Sequence, residues 1–183
     1  MVVEESIVQE RRFLMDNRLI IRNIKQEDCE TISNAFRLQG WNKTKEQYER
    51  YLKEHLEGKR DVIIAEYDNN FAGYVTIQWR SNYKPFQDSN IPEVVDLNVL
   101  IKVRKKGIGT ALLDEAEKRV AAINNKIGIG VGLMPDYGSA QRLYIKRGYI
   151  PDGLGACKDG KFLVYGDKVI VDDNVAIYLV KQV

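Results

Sequence analysis

One stretch limits the folds open to this chain more than any other. From Glu93 to Val103 branched apolar residues follow one another with few interruptions, the pattern of a strand covered on both faces. From Gly107 the apolar spacing changes to Ile108, Leu112, Ala116, Val120 and Ile123, which is the period of a helix. The connection between them holds the three cations Arg104, Lys105 and Lys106 and the two glycines Gly107 and Gly109. A helix N-terminus offers unpaired N–H groups with a partial positive charge, and glycine lets a ligand approach the backbone. The turn therefore reads as an anion site, most simply one for a pyrophosphate. A solvated basic turn at a helix start is the plain alternative.

A Walker loop requires Gly-Lys-Ser/Thr after a fixed gap, and the segment does not supply it. A dinucleotide fingerprint requires a third glycine, where Leu112 stands. What remains is Arg104-x-x-Gly107-x-Gly109 behind a strand. This resembles the coenzyme A loop of the GNAT superfamily of N-acetyltransferases, whose motif is Arg/Gln-x-x-Gly-x-Gly/Ala. Downstream, Ala140-x-x-Leu143-Tyr144-x-x-x-Gly148-Tyr149 resembles the second GNAT motif, which usually ends in Leu-Tyr-x-x-x-Gly-Phe. That family often carries an asparagine three positions before the alanine, and Tyr137 stands there instead. The resemblance covers about residues 18–181.

The resemblance implies an α/β fold, with a mixed, mostly antiparallel central sheet flanked by helices and splayed at the cofactor-binding strands. It implies acetyl-CoA as cosubstrate, with no metal. Arg104, Lys105, Lys106, Gly107, Ile108, Gly109 and Thr110 would hold its pyrophosphate, and the backbone at Val99 and Ile101 its pantetheine and carbonyl. Tyr144 takes the place of a tyrosine that lies near the cofactor sulfur in many members, where a phenol can protonate a leaving thiolate. Glu93 stands eleven residues before Arg104, the offset at which the histone-acetylating branch places its glutamate base. Asp96 is the rival base. Strict alternation turns it to the other face, and a bulge would disturb that parity. Many members use only ordered water.

The activity implied is transfer of an acetyl group to a primary amine by direct attack in a ternary complex. The acceptor would be a small polyamine, an amino sugar, an aminoglycoside or a protein amino group. A non-catalytic acyl-CoA-binding sensor would use the same loop. A domain that has lost its cofactor fits poorly with an intact Gly107-x-Gly109.

Length and charge agree with this reading. The 183 residues suit one domain, residues 18–183, behind an N-terminal extension of 1–17. In that extension Ile7, Val8, Phe13 and Leu14 form a short element or dock on the domain. A net charge of +2 argues against a nucleic-acid partner, and no apolar run approaches the eighteen or so residues of a membrane span. The N-terminus has no signal-peptide pattern, so a reducing, cytoplasmic setting is expected. Cys29 and Cys157 lie too far apart in sequence to suggest a metal site, and a homodimer is compatible with the chain.

The remaining elements follow from periodicity. Leu19–Arg22 reads as a strand, and residues 27–39 as a helix that places Cys29, Ile32 and Phe36 on one stripe. Cys29 is thus expected to pack rather than to react. Thr44 and Gln47 form a capping-box pattern ahead of a helix carrying Tyr48, Tyr51, Leu52, His55 and Leu56. The sole histidine is expected to pack or to face solvent. Residues 61–67 and 72–79 form a hairpin around Asp68-Asn69-Asn70. A polar loop, residues 80–92, either shapes the acceptor site or crosses the surface. Trp41, Trp79, Tyr83 and Phe86 hint at a partly aromatic acceptor site. In residues 127–133 glycine alternates with branched residues, so a helix packs close or a ligand slides along the bare face. A helix over 139–147, a loop over 150–160 and closing strands at 162–164 and 175–180 complete the chain.

Overall fold

The computed structural model describes residues 18–183. The expectations for 1–17 lie outside the described residues. These residues sort into two compact units, one built from 18–76 and 96–116, the other from 77–95 and 117–183.

The first unit begins with β1 (Leu19–Asn23), α1 (Asp28–Leu38), α2 (Lys45–Leu56), β2 (Arg60–Tyr67) and β3 (Asn70–Gln78). β1 runs antiparallel to β2, from Leu19↔Tyr67 to Asn23↔Ile63. Asp68 and Asn69 carry the chain from β2 to β3 with φ of 52° and 59°, the left-handed pair that a tight hairpin turn requires. Cys29, Ile32 and Phe36 of α1 are fully buried, as their stripe predicts, and pack with Tyr48, Tyr51, Leu52, Val62, Ile64, Tyr74 and Leu100. Thr44 Oγ1 accepts a bond from the Gln47 N–H at 3.4 Å and so caps α2. The Gln47 side chain, which a capping box would return to Thr44, bonds instead to Tyr51 and Asp96.

β4 (Glu93–Val99) is shorter than the sequence suggests. The apolar run to Val103 is not one strand, because Ile101–Val103 winds into a 3-10 turn. Asp96 lies in the left-handed region, φ 61°, which breaks the regular pleat in the manner of a bulge. Gly73 of β3 is needed beside it, since a Cβ there would meet Asn98 O at 2.5 Å. The apolar residues of the 3-10 turn are therefore not ladder residues. α4 (Ile108–Ala121) starts after Gly107, whose φ of 76° a side chain would strain.

The second unit contains α3 (Lys84–Asp88), β5 (Lys126–Gly132), a 3-10 turn at Pro135–Tyr137, α5 (Gly138–Lys146), β6 (Ile150–Lys158), β7 (Lys161–Phe162) and β8 (Val175–Gln182). β5 runs parallel to β4 over two pairs, Glu93↔Gly128 and Val94↔Ile129, and antiparallel to β8 from Lys126↔Gln182 to Gly132↔Ala176. β6 is antiparallel to both β8 and β7. The strand order is β1-β2-β3-β4-β5-β8-β6-β7, an open and mostly antiparallel eight-stranded sheet flanked by helices. This is the fold class the sequence predicts.

Three local readings are corrected in this unit. Residues 80–92 are not a plain polar loop: they hold the helical turn α3, and Tyr83, Phe86 and Ile91 are buried with Cys157. Residues 150–158 are a strand, although Gly153 and Gly155 have positive φ and the register shifts between Pro151 and Ala156. The strand expected at 162–164 is reduced to β7, which pairs with β6.

The glycine face of β5 is filled neither by a helix backbone nor by a bare channel. A Cβ on Gly128 would meet the Phe86 ring at 2.2 Å, one on Gly132 the Tyr137 ring at 2.7 Å, and one on Gly130 the Tyr178 ring at 3.0 Å. Tyr178 in turn stacks on Tyr83 with centroids 3.6 Å apart. The chain's own aromatics thus occupy the space that the glycines leave. Gly128→Ala accordingly lowers unfolding free energy by about 2 kcal/mol, the usual cost of overpacking. A urea melt checks it, and an unchanged midpoint would mean that the Phe86 ring shifts without penalty.

Candidate functional site

The basic turn lies in the first unit. Arg104 leaves the 3-10 turn in an extended conformation, Lys105 is left-handed at φ 62°, and Gly107 follows at 76°. The N–H of Ala111 donates to Gly107 O at 3.0 Å, the first bond of the α-helical ladder. The N–H groups of Ile108, Gly109 and Thr110 therefore precede any intrahelical acceptor. Ile108 is buried and anchors the helix start, while Arg104, Lys105, Lys106, Gly107 and Thr110 are exposed. At Gly109 an added Cβ would find its nearest neighbour, Val99 Cγ2, only at 3.8 Å. Exposed donors and three cations at a glycine-bearing helix start suit a diphosphate.

Two of the expected backbone positions are already in use. The Ile101 N–H donates to Gln39 Oε1 at 3.0 Å, and the Val99 carbonyl accepts from Arg104 Nε at 3.2 Å. The Arg104 guanidinium also sits 5.6 Å from the Trp41 ring centroid, and Lys106 Nζ 4.6 Å from that of Tyr67.

Asp96, in the same unit, is the centre of a polar cluster that its sequence position does not announce. Its carboxylate accepts from Tyr51 and Tyr74 hydroxyls at 2.9 Å each, Asn98 Nδ2 at 3.0 Å, and Lys43 Nζ and Gln47 Nε2 at 3.1 Å each. Tyr48 donates in turn to the Tyr74 hydroxyl at 3.4 Å. Burial pushes the Asp96 carboxyl up. The Lys43 ammonium and the hydrogen bonds from Lys43, Tyr51 and Tyr74 more than offset this and hold it below the usual carboxylate range. Asp96 is therefore an ionised anchor, poorly suited to take up a proton near neutrality.

Glu93 and Tyr144 belong to the second unit. Glu93 is 8% exposed, and its carboxylate accepts from the fully buried hydroxyl of Ser81. Ser81 Oγ is oriented by the Tyr83 N–H, which donates to it at 2.9 Å. Tyr144 is buried on α5, and burial, with Tyr137 nearby, pushes its phenol well above the ordinary value. Gln141, three residues earlier on α5, donates through Nε2 to Gly132 O at 2.8 Å and holds the end of β5. Tyr137 uses its ring to cover Gly132 and its hydroxyl to reach Asp173 Oδ1 at 3.3 Å.

The sequence-predicted residues thus divide: Asp96, Val99, Ile101 and Arg104–Thr110 in one unit, Glu93 and Tyr144 in the other. Lys43, Gln47, Tyr51, Tyr74 and Ser81 escape sequence reasoning. Tyr51 and Tyr74 read as apolar positions of a helix and a strand, which their rings are; only the fold reveals where their hydroxyls converge. His55 Nδ1 lies 3.2 Å from Arg60 O and 3.9 Å from Asp61, a packing role as expected. Tyr83 and Phe86 are core residues, so they are removed from the proposed aromatic acceptor site, and Trp41 stacks on Phe36 at 5.5 Å. Among the described residues no cluster of His, Cys, Asp or Glu is placed to hold a metal, and no helix is long and apolar enough to cross a membrane.

Several solved structures share this fold. N-acetyltransferase from Staphylococcus aureus Mu50 superposes with a TM-score of 0.67 at 14% identity, over 90% of this chain and 98% of that one. Ribosomal-protein-alanine N-acetyltransferase from Brucella melitensis gives 0.66 at 16% identity, over 90% and 99%. YncA from Salmonella typhimurium, solved with its cofactor acetyl-CoA, gives 0.63 at 16% identity, over 90% and 94%. No curated protein sequence matches the chain. Residues 22–149, which include the basic turn and the helix of Tyr144, match the acetyltransferase (GNAT) family. The chain belongs to that family, whose enzymes carry out acetyl-CoA-dependent acetyl transfer.

Proposed function

We propose that this protein is an N-acetyltransferase that moves the acetyl group of acetyl-CoA to a primary amine by direct attack while both substrates are bound. The observation that carries this reading is the turn from Arg104 to Thr110, with its left-handed Lys105 and Gly107, exposed cations and unpaired helix N–H groups. The Lys105 and Lys106 side chains and the N–H groups of the first helical turn hold the diphosphate. The backbone at Val99 holds the pantetheine arm and the thioester carbonyl, while the Ile101 N–H stays with Gln39. When bound, acetyl-CoA supplies the activated acetyl thioester.

The chain's own residues manage charge and protons. An ammonium cannot attack, so its proton passes to Glu93, directly or through water. Asp96, kept ionised by Lys43 and engaged by its five donors, holds the bulge of β4 rather than deprotonating the acceptor. The C–N bond forms as the C–S bond breaks, and the Tyr144 phenol gives its proton to the departing thiolate. The second proton, shed by the acetylated nitrogen, restores the tyrosine through water, while Glu93 returns its own to solvent. The acceptor is a small polyamine, an amino sugar, an aminoglycoside or a protein amino group. The buried free thiols of Cys29 and Cys157 accord with a reducing compartment such as the cytoplasm.

Calorimetry with coenzyme A at moderate salt, followed by thiol release from acetyl-CoA against an amine panel, tests the reading. Binding without turnover across the panel would favour an acyl-CoA sensor, and no binding would remove the cofactor site altogether. In the double variant Lys105→Ala/Lys106→Ala the KM for acetyl-CoA rises by about tenfold with kcat little changed, because charges on the diphosphate do not change during acetyl transfer. The effect shrinks as salt is raised.

A further inference from the structure

Three side chains around the basic turn make contacts that the binding of a diphosphate does not call for. Arg104 is the first of its three cations, yet its Nε is committed to the Val99 carbonyl at 3.2 Å and its guanidinium faces the Trp41 ring at 5.6 Å. Trp41 is itself held. Its ring lies parallel to Phe36, 5.5 Å away and 4° from coplanar, and the Trp41 backbone N–H donates to Phe36 O at 2.9 Å. Phe36 is fully buried in the core, so Trp41 is a fixed plate rather than a mobile side chain.

Two residues before Trp41, Gln39 accepts the Ile101 N–H at 3.0 Å while its Nε2 is buried without a partner among the described residues. A flipped amide would set N–H against N–H, so the carbonyl orientation is imposed by Ile101 even though it leaves the nitrogen unsatisfied. Between these two contacts the 3-10 turn closes on itself, Val103 N to Leu100 O at 3.0 Å and Arg104 N to Ile101 O at 3.2 Å. The end of α1 thus grips the chain at 101 and at 104, immediately before the left-handed Lys105.

We infer that Gln39, Trp41 and Arg104 form a brace that sets the path of the phosphate-binding turn, with Arg104 a positioning residue and not a ligand of the diphosphate. The inference rests on the acyl-CoA reading of that turn. Lysine cannot replace arginine in this role. Its ammonium lacks the planar face that lies over the indole and the Nε that reaches the Val99 carbonyl. A phosphate ligand, by contrast, would tolerate lysine, since a point charge serves there.

Coenzyme A affinity is measured by calorimetry over a range of salt for the wild type, Arg104→Ala, Arg104→Lys, Trp41→Ala and the double variant Trp41→Ala/Arg104→Ala. A brace predicts that each single variant weakens binding by about fivefold. It also predicts that lysine does not rescue, that the double variant is no worse than either single one, and that the salt dependence stays that of the wild type. Additive losses, rescue by lysine and a flatter salt dependence in Arg104→Ala would make Arg104 a direct ligand and overturn the brace. Thermal melts of the same set without ligand provide a separate cycle. Coupling between Trp41 and Arg104 in those melts, with no coenzyme A binding by the wild type, retains the brace and rejects the cofactor site; additivity in the melts rejects the brace itself.

Discussion

Tyr144→Phe lowers kcat by about a hundredfold and leaves the KM for acetyl-CoA within a factor of about two, the range of a lost general acid. The substitution removes one oxygen from a buried ring, so packing on α5 is retained and the fold is not the variable. Burial raises the phenol well above its ordinary value, so it stays protonated throughout the neutral range and has a proton to give. The phenol meets charge on sulfur only as the C–S bond breaks, hence a loss in kcat rather than in ground-state binding. Single-turnover kinetics beside a thermal melt separates this from unfolding. Turnover equal to the wild type would pass the role of acid to water.

Asp96→Ala destabilises the fold by about 3 kcal/mol, the low end for breaking a buried pair from one side, because the Lys43 and Asp96 side chains are 18% and 20% exposed. Alanine leaves the Lys43 ammonium and the donors of Gln47, Tyr51, Tyr74 and Asn98 converging on nothing. It also places a residue ill suited to φ 61° at the bulge. Asp96→Asn is milder, since asparagine tolerates the left-handed region and keeps one acceptor oxygen.

The sign of the pH dependence follows from the depressed folded-state value. The carboxylate's contribution is fully present above its unfolded value of about 3.9 and is lost as pH falls through the lower folded one. Wild type and Asp96→Asn therefore differ most near neutrality and converge in the acid range. Urea melts from about pH 7 down to about pH 2.5 check this, since the window lies below about pH 4. Parallel curves would show that Asp96 carries no stabilising charge.

The elements read correctly from sequence are those whose signal is local. The stripe of Cys29, Ile32 and Phe36, the Thr44 cap, the hairpin turn at Asp68 and Asn69, and the cations ahead of a helical repeat each depend on neighbours within a turn or two. The elements misread are those in which a distant partner overrides the local pattern. The apolar run to Val103 looks like one strand until Ile101–Val103 winds into a 3-10 turn whose first N–H is taken by Gln39, sixty-two residues earlier. The β5 glycines look like room for a ligand until Phe86, Tyr137 and Tyr178 fill it, and two of those rings come from segments more than forty residues away in sequence.

By itself, then, the amino-acid order determined the family, the mixed sheet and the basic, glycine-bearing turn ahead of a helix, because helix periodicity, glycine and clustered charge act over short range. Tertiary structure alone decided that Asp96 is an ionised hub, that Glu93 leans on Ser81, and that Arg104 lies over Trp41. The reason is physical: a side chain's charge state and orientation are set by the groups that surround it in space, and the chain brings those groups together only on folding.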